Sequence, residues 1–242
     1  MPQESTSPIL SVENVDLGYG ALQVVTDVSL RVGEGELVGL VGGNGSGKST
    51  ILRAISGMIT PFRGRIVFDG EAIRPAAPHQ MAAKGLAHVP MGRQLFPNMS
   101  VRENLLVGAT LPAARAARAR SLEEVRALFP ELDAHMDAAA GQLSGGQQQM
   151  VAIARALMLR PKMMIMDEPS IGLAPRLVKD VMAAIRRVAH TGLPILLVEQ
   201  NVKQVLAVCD RAYVLENGRL ALEGSATELQ GHPLVRKAYL GL

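Results

Sequence analysis

The string Gly42-Gly43-Asn44-Gly45-Ser46-Gly47-Lys48-Ser49 fits G-x-x-x-x-G-K-[ST], the pattern of a phosphate-binding P-loop. Its glycines let consecutive backbone N–H groups curl around phosphate oxygens without Cβ clashes. Lys48 adds a mobile charge for the β- and γ-phosphates, and the Ser49 hydroxyl can ligate Mg²⁺. A second constellation is Met163-Met164-Ile165-Met166-Asp167-Glu168. Four apolar residues bury a strand, and Asp167 emerges at its C-terminal end, the edge where open α/β sheets bind ligands. Asp167 can hold Mg²⁺, through water, beside Ser49, and Glu168 next to it can orient and polarise an attacking water. Acid pairs are common on protein surfaces; one that ends an apolar strand downstream of a P-loop is far more specific. A third element is Leu143-Ser144-Gly145-Gly146-Gln147, followed by Gln148-Gln149-Met150-Val151-Ala152-Ile153-Ala154-Arg155-Ala156. Two glycines after a serine, opening a helix, form another backbone nest for anions. The P-loop already serves its own nucleotide, so a second nest suggests a nucleotide held by another subunit. A lone S-G-G would be an ordinary helix cap.

These groups need particular elements to hold them. The P-loop requires a strand before it and a helix after it. Leu37-Val38-Gly39-Leu40-Val41 is the apolar run, and residues 50–55 are helix-like and point their positive end at the same anion. Residues 163–166 and 194–198 are short, wholly apolar and separated by a helical stretch, as buried parallel strands are. Residues 9–17 and 28–32 read as further strands. Asp69-Gly70 and Asn217-Gly218 read as hairpin turns between β-like runs such as 65–68 and 211–215. From about residue 101 to 140 the chain is rich in Ala, Leu, Arg and Glu with helical periodicity, and breaks are expected at Pro112 and Pro130. This predicts a helical insertion between two parts of one α/β core.

Composition narrows the function classes. The 242 residues suffice for one large α/β domain with an inserted subdomain. A net charge of +3 is too weak to argue for nucleic acid, and 3% aromatic content without tryptophan offers no stacking platform for bases. Arg115, Arg118 and Arg120 read as a solvated helix face. The single cysteine, Cys209, permits no intrachain disulfide and reads as packing. The six methionines between 136 and 166 read as adaptable core, not a metal site. The first eight residues are polar and lack the apolar core of a signal peptide, and no apolar run reaches membrane-spanning length, so a soluble chain in the cytoplasm is expected.

The P-loop, Leu-Ser-Gly-Gly-Gln and the apolar strand ending in Asp-Glu, in this order, resemble the ATPase subunit of an ABC transporter over nearly the whole chain. The resemblance implies an α/β fold, a P-loop NTPase of RecA-like core with an antiparallel β-subdomain and an inserted helical subdomain. It implies one domain over residues 8–242, a helical subdomain over approximately 95–155, and a flexible terminus over 1–7. ATP and Mg²⁺ are the implied cofactors. Gly42, Gly43, Asn44, Gly45, Ser46, Gly47, Lys48, Ser49 and Thr50 would contact the nucleotide of this chain, with Tyr19 stacking on adenine. Ser144, Gly145, Gly146 and Gln147 would contact the nucleotide of a partner in a head-to-tail dimer. Glu168 and Gln200 would be catalytic, and Ser49 and Asp167 would serve the metal. The bland alternative for Tyr19 is a half-buried strand tyrosine.

Several further strings occur together: 85–90 (Gly-Leu-Ala-His-Val-Pro), 95–97 (Leu-Phe-Pro), 167–175, 196–201 and 236–241. Together they resemble the smaller ATPase of the branched-chain amino acid importers. That group works with a second, homologous ATPase, two integral membrane permease subunits and, indirectly, a periplasmic substrate-binding protein. The implied location is peripheral, on the cytoplasmic face of the bacterial inner membrane. The sequence runs only three residues past Tyr239, so no added regulatory domain is expected.

Three positions depart from the wider family. Gln200 stands where a switch histidine is usual; it can hydrogen-bond a γ-phosphate oxygen or water but cannot carry a positive charge. The narrower group shares this glutamine, so it does not imply inactivity. Ala174 stands where an aspartate is usual, so one polar cross-dimer contact is missing or made by another group. Met91 stands where the wider family has a glutamine near Mg²⁺ and the attacking water, and a thioether is a poor Mg²⁺ ligand. Gln94 can substitute, or the metal can keep an extra water. Rival readings fit less well. Soluble ABC ATPases acting on ribosomes or DNA usually join two units or insert coiled coils, and a P-loop GTPase or kinase has no use for residues 143–147. Within transport, urea, short amides and aromatic acids stay open as substrates, because an ATPase subunit never touches the cargo.

Overall fold

The computed structural model describes residues 7–75 and 77–237. Apart from Ser7, the terminus expected to be flexible lies outside the described residues, as do positions 238–241 of the last string quoted above. The chain opens with two long strands, β1 (Leu10–Tyr19) and β2 (Leu22–Val32), and then β3 (Leu37–Val41) leads through the P-loop into α1 (Lys48–Ile55). There follow β4 (Arg63–Phe68), β5 (Glu71–Ala72), α2 (Pro78–Ala83) and β6 (Leu86–Val89). Helices α3 (Val101–Gly108), α4 (Pro112–Ala116) and α5 (Arg118–Leu128), two 3-10 turns (Pro130–His135 and Ala140–Gln142) and α6 (Gly145–Leu157) come next. The chain then alternates through β7 (Met163–Asp167), α7 (Pro175–Ala189), β8 (Ile195–Glu199) and α8 (Val202–Leu206). It closes with the hairpin β9 (Arg211–Glu216) and β10 (Arg219–Ser225), α9 (Ala226–Gly231) and α10 (Pro233–Val235).

Two sheets result. One is antiparallel in the order β2-β1-β4-β5; the other has the order β10-β9-β3-β8-β7-β6, parallel from β9 to β6 with β10 antiparallel at one edge. Side chains alternate across each strand. Val38 and Leu40 of β3, Met163 and Ile165 of β7, and Leu196 and Val198 of β8 join α1 and the antiparallel sheet in one core. Leu37 and Val41, Met164 and Met166, and Ile195 and Leu197 pack on the other face with α3, α5, α6 and α7. Helix α1 thus lies between the two sheets, with the P-loop opening at the C-terminal end of β3. Five of the six methionines between 136 and 166 belong to the helix-side core, and Met163 belongs to the other.

The expected hairpin turns are present. Asp69 (φ 51°) with Gly70 (φ 76°), and Asn217 (φ 48°) with Gly218 (φ 76°), are paired left-handed residues matched to strand twist. The breaks expected at Pro112 and Pro130 are present, with α3 ending at Gly108 and α5 at Leu128 ahead of them. Pro112 and Pro130 occupy the first turn of α4 and of a 3-10 turn, where a missing N–H costs nothing, so they start elements. Strand β6 was not anticipated. It has four residues, one of them His88, too few to display a period. The close approach of α3 to α6 rests on Gly108, where a Cβ would stand 2.1 Å from the Arg155 carbonyl oxygen. Cys209 is buried, and burial pushes its thiol up to about 12, so it is inert as expected.

Candidate active site

The P-loop is fitted to its surroundings by two glycines. A Cβ on Gly42 would stand 2.2 Å from the Leu215 carbonyl oxygen, and Gly47 (φ 107°) would meet Val25 at 2.7 Å. Gly43 and Gly45, in contrast, face open space. The β9–β10 turn braces the loop, since Gly218 N–H donates to the Ser46 carbonyl (3.1 Å) while its own carbonyl accepts from Thr26 N–H (2.8 Å). Lys48 is 4% exposed, and its ammonium donates to the carbonyls of Gly42 (2.9 Å) and Gly43 (3.0 Å) and lies 3.3 Å from Glu168 Oε1. Two carbonyl hydrogen bonds and one ion pair therefore hold the ammonium in place. Ser46 Oγ is buried with no hydrogen-bond partner. An orphaned buried hydroxyl beside exposed glycines is what a phosphate cradle offers a ligand.

Asp167 ends β7 on the α1 side of the sheet, and Ser49 Oγ donates to its Oδ1 at 3.4 Å. Burial raises the Asp167 pKa and the neighbouring Glu168 adds to that, against the Ser49 hydrogen bond and the charges of Lys48 and Arg53. A carboxylate disfavoured in this way gains from a bound cation. One carboxylate and one hydroxyl, completed by water and phosphate oxygens, is a donor set suited to Mg²⁺.

Glu168 has φ 45°, a left-handed backbone that costs about 1–3 kcal/mol for such a residue and is held in place by its neighbours. Its N–H donates to the Val198 carbonyl of β8 (2.9 Å). Glu199, at the end of β8, is 2% exposed and accepts from Ser170 N–H (2.8 Å), which fixes the turn after Glu168. Burial raises the Glu199 pKa, opposed by its Ser170 hydrogen bonds. In the sequence Glu199 stands out only as part of the 196–201 string. Its acid type at the end of an apolar strand, like Asp167, was the available signal. Gln200 is exposed and shares a surface recess with Glu168, Ser170, Glu199 and Asn201.

Tyr19 ends β1 and is 40% exposed. Its hydroxyl accepts from Arg53 Nη1 (2.7 Å) and lies 3.4 Å from Thr50 Oγ1, while the Arg53 guanidinium sits over the ring at 5.7 Å. The ring is thus braced on α1, directly behind the P-loop.

The Ser144–Gln147 turn opens α6. Ser144 Oγ accepts from Gln147 N–H (3.3 Å) and Gln147 Oε1 accepts from Ser144 N–H (3.0 Å), a reciprocal cap. Within one chain this turn is a helix cap, and it neighbours Arg93, Leu173 and Leu177. The structure therefore gathers Lys48, Ser49, Asp167, Glu168 and Gln200 around one sheet edge, and presents Ser144 as an exposed residue on a separate element. Met91 is 51% exposed after β6, and Gln94, also exposed, has φ 46°.

The family model described as "ABC transporter" matches residues 25–171. The chain is 41% identical to the high-affinity branched-chain amino acid transport ATP-binding protein BraG of Pseudomonas aeruginosa, covering 96% of this chain and all of that one. It is 36% identical to the lipopolysaccharide export system ATP-binding protein LptB of Acidithiobacillus ferridurans, over 97% of this chain and 98% of that one. Among solved structures, the ADP conformation of MJ1267, an ATP-binding cassette of an ABC transporter, superposes with a TM-score of 0.83 at 31% identity, covering 98% of this chain and all of that one. The chain belongs to the ABC transporter ATP-binding family. It is an ATP-binding, ATP-hydrolysing subunit that works with membrane permeases. Among the described residues no helix is long and apolar enough to cross a membrane.

Proposed function

We propose that the chain energises an importer of branched-chain or related small amino acids. It would act from the cytoplasmic face of the bacterial inner membrane, beside a second, homologous ATPase, two permeases and a periplasmic binding protein. The observation that carries the substrate class is the 41% identity to BraG over that protein's whole length. The similarity to LptB, at 36%, supports a second reading, lipopolysaccharide export.

ATP enters with its phosphates over Gly43 and Gly45. The backbone N–H groups and Lys48 bind them, and Ser46 Oγ gains a partner. Ser49 and Asp167 would hold Mg²⁺, which supplies charge neutralisation at the phosphates. Lys48 moves its donors from the Gly42 and Gly43 carbonyls and Glu168 to phosphate oxygens. The freed Glu168 carboxylate then orients the attacking water, and Gln200 hydrogen-bonds water or the γ-phosphate. Ser144, Gly145, Gly146 and Gln147 contact the nucleotide bound by the partner ATPase, so that ATP draws the two subunits together. The helical part, approximately residues 95–155, transmits that closure to the permeases. Catalysis is positioning and electrostatics around an in-line displacement.

Uptake of labelled leucine, isoleucine and valine by cells carrying Glu168→Gln as their only copy tests the substrate class. Loss of that uptake, with urea and amide uptake intact, is the expected result. Normal uptake of all three accompanied by a defect in lipopolysaccharide export would replace import with the second reading.

A further inference from the structure

The loop leaving β6 carries three successive residues in the left-handed region, Gly92 (φ 86°), Arg93 (φ 63°) and Gln94 (φ 46°). For the two non-glycines that backbone costs about 1–2 kcal/mol each and persists only where surroundings hold it. Two groups hold it from the helical side. Arg155 of α6 donates from Nη2 to the Arg93 carbonyl (3.3 Å) and lies over the Phe96 ring at 5.9 Å. Asn104 of α3, fully buried, accepts from Phe96 N–H (2.9 Å) and donates to the Phe96 carbonyl (3.0 Å).

These contacts fix the backbone; the Arg93 side chain has a separate task. Its Nη1 donates to Gln148 Oε1 at 3.0 Å, and the Gln148 amide donates onward to the Leu143 carbonyl at 3.1 Å. Its Nη2 lies 3.1 Å from where a Cβ on Gly145 would stand, a spot that Leu173 Cδ2 flanks at 3.0 Å. One guanidinium therefore joins the exit of β6 to the first turn of α6, beside Gly145, which Leu173 of the loop after Glu168 also neighbours. A planar fork can span two partners at fixed angles, which a lysine cannot. The position two residues earlier holds Met91, an exposed thioether with no polar reach of this kind.

We infer that Arg93 is a positioning residue that sets the Ser144–Gln147 turn in register with the loop after β6, and through that turn governs ATP in the partner's site. The inference rests on the proposed closure, in which this turn meets a partner-bound nucleotide. Arg93 belongs to no part of the chain's own P-loop. Its loss leaves nucleotide binding to the isolated chain unchanged and slows hydrolysis by the assembled complex.

The test uses the membrane complex purified with the parent chain, Arg93→Ala, Arg93→Lys, and the reversed pair Arg93→Gln with Gln148→Arg. Steady-state kcat and KM are measured for each, together with nucleotide affinity of each isolated chain. The expected kcat for Arg93→Ala is lower by roughly ten-fold or more, as a small misplacement of a positioning group produces. Nucleotide affinity stays at the parent value, Arg93→Lys recovers little, and the reversed pair recovers most of the loss. Parent-like kcat in Arg93→Ala overturns the inference, as does a reversed pair no better than Arg93→Ala. A parent complex that hydrolyses ATP with each subunit independent of the other overturns the closure itself and the inference with it.

Discussion

The Lys48 ammonium is already held by hydrogen bonds to two carbonyls and by an ion pair with Glu168. A nucleotide must replace all three, so removing the Glu168 charge does not weaken binding. Glu168→Gln is expected to bind ATP as tightly as the parent, by fluorescent-analogue titration, while steady-state hydrolysis falls about 10²–10⁴-fold. Asp167 presents the opposite balance. Burial, with Glu168 adding to it, raises its pKa, so the folded chain holds that proton more tightly than the unfolded chain does. Its contribution to stability is full below the ordinary carboxylate range and is lost as pH rises through the raised value. At neutral pH the ionised group is a cost to the nucleotide-free protein. Asp167→Asn should raise the urea midpoint of the apo chain at pH 7, leave it unchanged at low pH, and reduce the extra stability conferred by ATP with Mg²⁺. A lower apo midpoint at pH 7 would contradict the assignment. Met91 is the third residue with a measurable consequence. Met91→Gln or Met91→Glu would place an oxygen donor in the loop after β6 and should raise turnover several-fold, within the scale of one polar catalytic contact. Unchanged turnover and unchanged transport coupling in both would remove any role for that side chain.

At the scale of elements, the approach of α3 to α6 depends on the missing side chain of Gly108. Gly108→Ala drives a methyl against the Arg155 carbonyl, a backbone atom that cannot swing aside. An overpacking cost of about 1–3 kcal/mol is expected from chemical denaturation. Because Arg155 also holds the β6 exit loop, turnover should fall as well; parent-like stability would show that the helices can slide apart freely. Much of this architecture was legible in the sequence, for identifiable reasons. Residues 163–166 and 194–198 are buried on both faces, so they read as continuous apolar runs, and Asn217-Gly218 can hardly be anything but a tight turn. What escaped was short or set by contacts distant in sequence. Strand β6 has too few residues to show a period, and the roles of Pro112 and Pro130 depended on where each helix began. Glu199 gains its meaning from Ser170, 29 residues away, and Arg93 from Gln148, 55 away. Of the candidate site, Lys48, Ser49, Asp167 and Glu168 could be named from spacing alone, whereas the ion pair between Lys48 and Glu168 could not.

At the scale of the whole molecule, the proposed closure uses two different surfaces of the chain. One is the P-loop edge; the other is a capped helix start whose serine is exposed. A chain with these two surfaces is suited to a partner carrying the complementary ones. Import of a small amino acid further requires that this pair sit beneath two permeases. Gentle detergent extraction of the tagged chain from its native membranes, with co-purifying proteins identified by mass, tests this most directly. The account predicts two polytopic membrane proteins and a second, different ATPase of the same family in stoichiometric amounts. Recovery of this chain paired only with itself on an export complex, or with soluble partners alone, would contradict it.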